Sequence, residues 1–260
     1  MSEKVHPRAD DLDAMSTLEL VTLMNAEDAN AVDAVRSQLP SIAEAVDAIA
    51  DRLRAGGRLH YFGAGTSGLI AALDAAECPA TFGVAAGAVQ AHAVTEAGEE
   101  DDRELGVQMA RDAGIKRGDV VVGISASGHT PFVLGALRHA GDDGAFRIAV
   151  TCRPGSQLAS LAHVAIEIDT GPEVIAGSTR LKAGTAQKLV LNMLTTGAFT
   201  RLGRTRRGRM VGVVAGNQKL RDRAARIVSD LAGVSLEEAR RLLDEAGGDV
   251  EAVLSAEPRV

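Results

Sequence analysis

The spacing of apolar residues along the chain changes near residue 56. Before that point they recur at intervals of three and four, at positions 32, 35, 39, 42, 46 and 49. This stripe predicts a helix from about Ala31 to Ala55 that packs one face against a neighbour, and it also predicts a homodimer. A shorter helix is expected over residues 17–25, because Ser16 and Glu19 match the capping-box pattern. Gly56-Gly57 is typical of a helix C-terminus.

After residue 57, short apolar runs rich in Val and Ile alternate with helical stretches. The runs that predict strands are residues 59–62, 120–124, 146–151 and 164–168. Helices are predicted between them, over residues 68–77 and 131–140. Because no hairpin turns separate the strands, the pattern favours an α/β fold with a parallel sheet that is covered on both faces. Ligands of such sheets bind at the carboxyl ends of the strands.

The rest of the chain reads as helical. A long helix is expected over residues 181–202, an apolar piece over 210–215 and another helix over 217–232. Ser235 and Glu238 repeat the capping-box pattern before a small helical hairpin. The sequence therefore predicts three parts: a helical N-terminal segment (1–55), a ligand-binding core domain (56–216) and a C-terminal helical subdomain (217–260).

Composition narrows the classes of function. The formal net charge is −7, Trp is absent and aromatic residues make up 2% of the chain, so nucleic acid or an anionic membrane is not expected as a partner. Cys78 and Cys152 match neither a metal-binding spacing nor a disulfide framework. Since no apolar stretch approaches the ~20 residues of a membrane span and the N-terminus lacks a signal-peptide core, we expect a cytoplasmic protein.

The stretch Gly63-Ala-Gly-Thr-Ser-Gly68 follows the first predicted strand and opens a helix. Gly65, Thr66 and Ser67 would there direct backbone N–H groups and hydroxyls at one point, which predicts an anion site. The same letters match the dinucleotide-binding pattern, which also requires an acidic residue about twenty positions later. Residues 84–92 contain no acid, so a phosphate monoester is the favoured ligand.

A second loop, Ser125-Ala-Ser-Gly-His-Thr130, follows the strand over residues 120–124. Its hydroxyls at Ser125, Ser127 and Thr130 surround Gly128, and a proline at a first helical position follows them. One such loop would be an ordinary helix cap about as often as a ligand site. Two of them at strand ends of one sheet favour a phosphosugar pocket.

Three longer motifs resemble the N-acetylmuramic acid 6-phosphate etherase family. They are Asp74-Ala-Ala-Glu-Cys-Pro-Ala-Thr-Phe-Gly83, Gly123-Ile-Ser-Ala-Ser-Gly-His-Thr-Pro131 and the stretch from Gly171 to Lys188 that contains Gly177-Ser-Thr-Arg-Leu-Lys-Ala-Gly184. The resemblance implies a flavodoxin-like sugar isomerase (SIS) domain, arranged as a parallel-sheet sandwich. It also implies a lyase that removes the D-lactyl ether from carbon 3 of the phosphosugar by elimination and hydration, without a metal or organic cofactor.

The resemblance also implies roles for particular residues. Glu77 matches the family's catalytic glutamate, and Glu100 is the best match for the second one, although the adjacent Glu99 is an alternative. Elimination needs a base for the proton on carbon 2 and an acid for the departing ether oxygen. The expected substrate-binding residues of the third motif are Ser178, Thr179 and Lys182. Ser178 and Thr179 could instead cap the helix, and Arg180 could replace Lys182 as the cation.

The chain departs from the family pattern at two positions and in one segment. Leu69 and His129 stand where the family usually has arginine, and the segment between Phe82 and Glu96 looks shorter than in other members. Two alternatives therefore stay open: a non-catalytic phosphosugar-binding regulator, as in the related glucokinase regulatory protein, and a phosphosugar isomerase. The isomerase would share both loops but would not account for the motif at Gly177–Gly184.

Overall fold

The computed structural model describes residues 4–96, 98–213 and 218–256. The strands are β1 (Leu59–Ala64), β2 (Val89–Val94), β3 (Val120–Ser125), β4 (Phe146–Thr151), β5 (Val164–Glu167), β6 (Thr205–Arg206) and β7 (Arg209–Met210). The α-helices are α1 (Thr17–Arg36), α2 (Leu39–Arg54), α3 (Gly65–Phe82), α4 (Arg103–Asp112), α5 (Pro131–Asp142), α6 (Gln157–Leu161), α7 (Lys182–Arg201), α8 (Gln218–Ala232), α9 (Leu236–Glu245) and α10 (Val250–Ala256). None of these helices is both long and apolar enough to cross a membrane.

The first five strands form one parallel sheet in the order β2-β1-β3-β4-β5. The α/β prediction and the four predicted strands are confirmed. The apolar pattern did not predict β2, which lies at the edge of the sheet. Only its end residues Val89 and Val94 are buried, and Gln90 and His92 interrupt its apolar pattern, so it lacks the continuous apolar run of a central strand.

Each face of the sheet buries its own apolar cluster. Helices α2, α3 and α7 pack on one face, with α1 against α7, around residues such as Tyr61 and Leu191. Helices α4, α5 and α6 lie on the other face, where Phe62 and Phe132 are fully buried. Because successive residues of a strand point to opposite faces, Tyr61 and Phe62 reach different clusters.

The predicted division of the N-terminal helices is wrong. α1 continues to Arg36, because residues 25–31 hold no glycine or proline and include good helix formers. The break comes at Gln38, just before Pro40 in the first turn of α2. The Ser16 capping box is confirmed, and Gly56 has the positive φ expected after a helix. Within the predicted apolar stripe, Val35, Ile42 and Ile49 are buried inside the chain itself.

Helix α3 is longer at both ends than the predicted 68–77. It begins at Gly65 and continues through Pro79 to Phe82, where Gly83 takes a left-handed conformation and caps it. Proline is tolerated there because it lies in the last turn, where losing one backbone hydrogen bond shortens the helix little. A side chain on Gly83 would collide with the backbone of Gly212, so the end of α3 sits directly against the segment that leads to the C-terminal helices.

The C-terminal helices bury a third apolar cluster, in which Val228, Ala239 and Val250 are fully buried. The predicted helical hairpin of α9 and α10 is confirmed. Ser235 caps α9, but Glu238 does not complete a capping box, because its carboxylate binds Arg241 instead. The apolar piece predicted over 210–215 begins in the short hairpin of β6 and β7, and its residues 214–215 lie outside the described residues.

Candidate active site

The first glycine-rich loop forms a tight connection between β1 and α3. Gly65 has a φ of +54°, and a side chain on Gly68 would come within 2.5 Å of the Gly63 carbonyl oxygen. Thr66 is half-buried, and Gly184 in the first turn of α7 lies close to its methyl group. Ser67 is buried and donates a 2.8 Å hydrogen bond from its hydroxyl to Oε1 of Gln187. The loop is therefore braced against α7.

The second loop is organised around the buried hydroxyl of Ser125. Its Oγ accepts from the backbone N–H of Gly128 at 3.0 Å and lies 2.8 Å from Thr130 Oγ1 and 3.3 Å from Ser127 Oγ. Gly128 has a φ of +67°, and a side chain there would collide with Ser156. Ser125 thus shapes the loop, whereas the half-buried Ser127 and Thr130 present hydroxyls at its surface.

The two loops lie side by side. β1 and β3 are neighbouring parallel strands, and Gly63 pairs with Ile124 in their register. The loops that follow these strands therefore leave the sheet at the same edge, as the sequence predicted. Both α3 and α5 direct their N-termini toward this edge, where the partial positive charge of each helix favours an anion.

The third motif leads into α7, but neither Ser178 nor Thr179 caps that helix. Instead, the buried carboxylate of Glu173 accepts from the backbone N–H groups of Lys182 and Ala183, at 3.0 and 2.9 Å. The alternative that the two hydroxyls serve as caps is therefore wrong. The sequence pattern did not indicate Glu173, because it lies nine residues before the helix and so outside the usual capping spacing. Neither the Ser178 nor the Thr179 hydroxyl donates to an acceptor within residues 4–96, 98–213 and 218–256.

Lys182 is buried, and its ammonium group binds the carboxylate of Glu27 on α1. Glu27 also lies 3.4 Å from Nε2 of His6. Burial alone would raise the pKa of Glu27, but the hydrogen bonds and charges of Lys182 and His6 together outweigh it and lower that pKa. Lys182 is thus already paired with a carboxylate. Arg180 is exposed beside a cavity of about 200 Å³ that Lys182 and Glu173 also line.

Glu77 lies on an exposed face of α3, one turn beyond the buried Asp74. The Asp74 carboxylate accepts from the Tyr61 hydroxyl at 2.9 Å and from the Thr195 hydroxyl at 3.0 Å. Burial raises the pKa of Asp74 to about 6, although these two hydrogen bonds lower it. With a rise of about 1.5 Å per residue, Glu77 is about 18 Å along the helix axis from Gly65. The structure therefore does not bring Glu77 to the loops of its own chain.

Glu99 and Glu100 lie in a short 3-10 helix, Glu99–Asp101, shortly after β2. Oε2 of Glu99 accepts from the backbone N–H groups of Thr95 and Glu96, at 3.2 and 3.0 Å. Glu100 is exposed, and no hydrogen bond involves its carboxylate among the described residues. Because β2 is the neighbour of β1, this turn follows the same edge of the sheet as the two loops. Glu99 holds the turn, and Glu100 has the carboxylate that is available to a ligand.

The departures from the family pattern lie at the surface. Leu69 occupies the first turn of α3 with 58% of its surface exposed, and His129 is exposed in the second loop. Neither cysteine is suited to nucleophilic chemistry, since burial raises the pKa of both the Cys78 and the Cys152 thiol to about 12. Over the part of the chain that the structure describes, no group of three or more His, Cys, Asp or Glu side chains could hold a metal ion.

Comparison with known proteins identifies the family. The SIS domain model matches residues 25–152. An N-acetylmuramic acid 6-phosphate etherase of Jannaschia sp. (strain CCS1) is 47% identical over 259 residues, which cover 96% of this chain and 82% of the relative. The chain belongs to the N-acetylmuramic acid 6-phosphate etherase family. The resemblance inferred from the three motifs is thereby confirmed.

Two further comparisons agree. The etherase of Burkholderia lata is 51% identical over 253 residues, covering 95% of this chain and 84% of the relative. The phosphoheptose isomerase GmhA of Neisseria gonorrhoeae has a similar fold, with a TM-score of 0.55 and 22% identity over 71% of this chain and all of that one. The likeness to the isomerase concerns the fold alone, and it confirms the predicted parallel-sheet sandwich of the SIS type.

Proposed function

We propose that this protein cleaves the D-lactyl ether of N-acetylmuramic acid 6-phosphate by elimination followed by the addition of water, giving N-acetylglucosamine 6-phosphate and D-lactate. The observation that carries the proposal is the pairing of two hydroxyl-bearing loops at one edge of the sheet. Together with the N-termini of α3 and α5, they form a site that favours a phosphate group. Relatives that cover nearly the whole chain are named for this activity.

The phosphosugar would be held by groups that the fold leaves available. The backbone N–H group of Gly65 and the hydroxyls of Thr66, Ser127 and Thr130 can donate to phosphate oxygens. Ser125, Gly128 and Ser67 shape the two loops, since the Gly128 N–H already donates to Ser125. Ser178 and Thr179 have hydroxyls that no described residue occupies, and they would bind the sugar. Arg180 is a better cation for the lactyl carboxylate than Lys182, because Lys182 is already paired with Glu27.

The elimination would be shared between two carboxyl groups. One removes the proton on carbon 2 and the other protonates the departing ether oxygen, which requires opposite protonation states in the two groups. Glu100 is suited to one role because its carboxylate is exposed at the loop edge. Glu77 takes the other role in this proposal. No metal or organic cofactor takes part in it.

A homodimer would bring Glu77 to a substrate. About 18 Å of helix separates it from the loop of its own chain, which is longer than a single hexose phosphate. Glu77 also lies beside exposed apolar residues of α3, including Leu69 and Leu73, which are 58% and 49% exposed. A second copy that covers this stripe would bury it and place its loops near Glu77. Each site of the proposed dimer therefore combines Glu77 of one copy with the loops of the other.

Release of D-lactate from N-acetylmuramic acid 6-phosphate tests the reaction. Glu77→Gln and Ser127→Ala variants should each be nearly inactive. If the site is shared, mixing and reassembling the two in equal amounts should restore about a quarter of the wild-type rate, since half of the dimers would hold one intact site. A mixture as inactive as its components would contradict the shared site, and a wild-type protein that releases no lactate would contradict the etherase.

One observation favours a second function. Leu69 replaces a cation beside the first loop and is exposed, so a site that binds a phosphosugar without turning it over is the alternative. A regulator of this kind would show a higher melting temperature with the phosphosugar and no lactate.

We also place the proposed reaction in the cytoplasm and in the recycling of cell-wall amino sugars. The two cysteines, both buried and unpaired, agree with a reducing compartment.

A further inference from the structure

Gln187 holds an unused hydrogen-bond donor beside the first loop. Its side chain is 1% exposed, and its Oε1 accepts the Ser67 hydroxyl at 2.8 Å. Its Nε2 is buried and donates to no acceptor among the described residues. A buried amide donor without a partner is costly, so native proteins rarely keep one without a purpose.

The present arrangement also uses the donor of Ser67. Its one hydroxyl proton goes to Gln187, which leaves Ser67 Oγ only as an acceptor toward the loop. Phosphate oxygens of the dianion accept hydrogen bonds and do not donate them. In this state Ser67 therefore cannot bind a phosphate through its hydroxyl, although it lies in the loop that is built for one.

Turning the Gln187 amide by a half-rotation resolves both points. The rotation exchanges Oε1 and Nε2, which occupy nearly the same space. Nε2 then donates to Ser67 Oγ, and the Ser67 hydroxyl is free to donate into the loop. The cost is one buried carbonyl oxygen without a donor. The hydrogen bond between Ser67 and Gln187 is kept with its direction reversed, and the new charge-assisted hydrogen bond from Ser67 to phosphate offsets that cost.

We propose that Gln187 is a positioning residue that changes from acceptor to donor when phosphate binds, and thereby relays a hydrogen bond through Ser67. This inference rests on the proposed phosphosugar site. It also links the first loop to α7, which carries Gln187 and lies against Thr66 through Gly184. The proton of Ser67 stays on its own oxygen throughout, and only the directions of the hydrogen bonds change.

Two substitutions of similar shape separate this relay from a purely structural role. Gln187→Glu keeps the acceptor and removes the donor, whereas Gln187→Met removes both. The relay requires Glu to be the worse of the two, weakening the binding of N-acetylglucosamine 6-phosphate by about tenfold or more because Glu holds the Ser67 proton. If Gln187 only accepts from Ser67, Met is the worse variant, and that order would overturn the relay. Binding is measured by calorimetry, with N-acetylglucosamine as the control.

A Ser67→Ala background controls for the added negative charge. There the relay predicts that Gln187→Glu changes affinity by less than about twofold, since no hydroxyl remains to be held. If Gln187→Glu weakens binding in that background as much as it does in the wild type, the effect is charge repulsion and the relay is overturned. Should Gln187→Glu fail to fold, the Met variant with and without Ser67→Ala still measures the coupling, and additive losses would contradict it. Wild-type protein that binds neither sugar would overturn the proposed function itself.

Discussion

The hydroxyl of Tyr61 donates a 2.9 Å hydrogen bond to the carboxylate of Asp74, both of them in the interior between β1 and α3. Thr195 on α7 donates to the other oxygen of the same carboxylate. One buried acidic group therefore joins the strand that leads into the first loop, the helix that carries Glu77 and the helix that follows the third motif. Such networks fix the relative placement of elements when every member has a partner.

Asp74→Asn should remove a pH dependence of stability. Burial raises the pKa of Asp74 to about 6, so between about pH 4 and pH 6 the unfolded chain loses this proton before the folded one does. The free energy of unfolding contributed by Asp74 therefore falls as pH rises through that window. Between about pH 4 and pH 6, the free energy of unfolding of the wild type should fall by up to about 3 kcal/mol relative to that of Asp74→Asn, as measured by urea unfolding.

The Asn variant is expected to fold, because Thr195 can accept from the new amide and donate to the Leu191 carbonyl, which it already approaches at 3.2 Å. Asp13→Asn, at an exposed position before α1, is the control for the loss of one carboxylate. Parallel stability curves for the wild type and Asp74→Asn would contradict the prediction.

Gly128→Ala should lower the free energy of unfolding by more than the left-handed backbone conformation of Gly128 accounts for. Gly128 and Gly155 have nearly the same φ, +67° and +68°, but only Gly128 lacks room for a side chain. The left-handed conformation costs each alanine about 1–2 kcal/mol. The collision with Ser156 should cost Gly128→Ala about 2 kcal/mol more and weaken phosphosugar binding. Equal unfolding free energies for the two variants would show that the loop relaxes around the new methyl group.

Glu173→Ala should destabilise the start of α7. It leaves the N–H groups of Lys182 and Ala183 unpaired in a buried place, which we expect to lower the free energy of unfolding by about 2–4 kcal/mol. Thr179→Ala is the matched control, since its hydroxyl makes no cap, and it should stay within about 0.5 kcal/mol. Denaturant unfolding compares the two. A larger effect at Thr179 would mean that the cap lies there.

Substitutions of the neighbouring residues Glu99 and Glu100 should have different effects, one on stability and the other on activity. Glu100→Gln is expected to reduce lactate release by about a hundredfold or more. It should leave the melting temperature unchanged, because the Glu100 carboxylate forms no hydrogen bond or ion pair with the part of the chain that the structure describes. Glu99→Ala should lower the melting temperature and keep most of the activity, because the Glu99 carboxylate accepts from two backbone amides and alanine has no acceptor to replace it. The reverse pattern would assign the catalytic role to Glu99.

Sequence reasoning succeeded where the determining chemistry is local. The glycines at 63 and 68 and the hydroxyls from Ser125 to Thr130 define their turns within six residues, so both loops and the strands before them could be predicted. The hydrogen bond between Ser67 and Gln187 could not be predicted, because the two residues lie 120 positions apart. The distance between Glu77 and the first loop could have been predicted, since it follows from counting residues along a helix that begins at Gly65.

Other features depended on partners that are distant in sequence. Lys182 resembles a free cation in its motif, and only the fold brings it to Glu27, 155 positions earlier. The cap from Glu173 crosses a loop whose course no periodicity specifies. The edge strand β2 has too few buried residues to be distinguished from a loop. In each case the missing information was tertiary, because packing overrode the local preference.

The contact between Lys182 and Glu27 also limits how the chain can be divided. A chain beginning at residue 56 would contain the whole parallel sheet and both loops, yet it would lack Glu27, which pairs with Lys182, and the two helices that pack against α7. The Lys182 ammonium and the apolar face of α7 would then be open to water. The N-terminal helices therefore complete the packing of α7, and a chain without them would not reproduce the surroundings of the third motif.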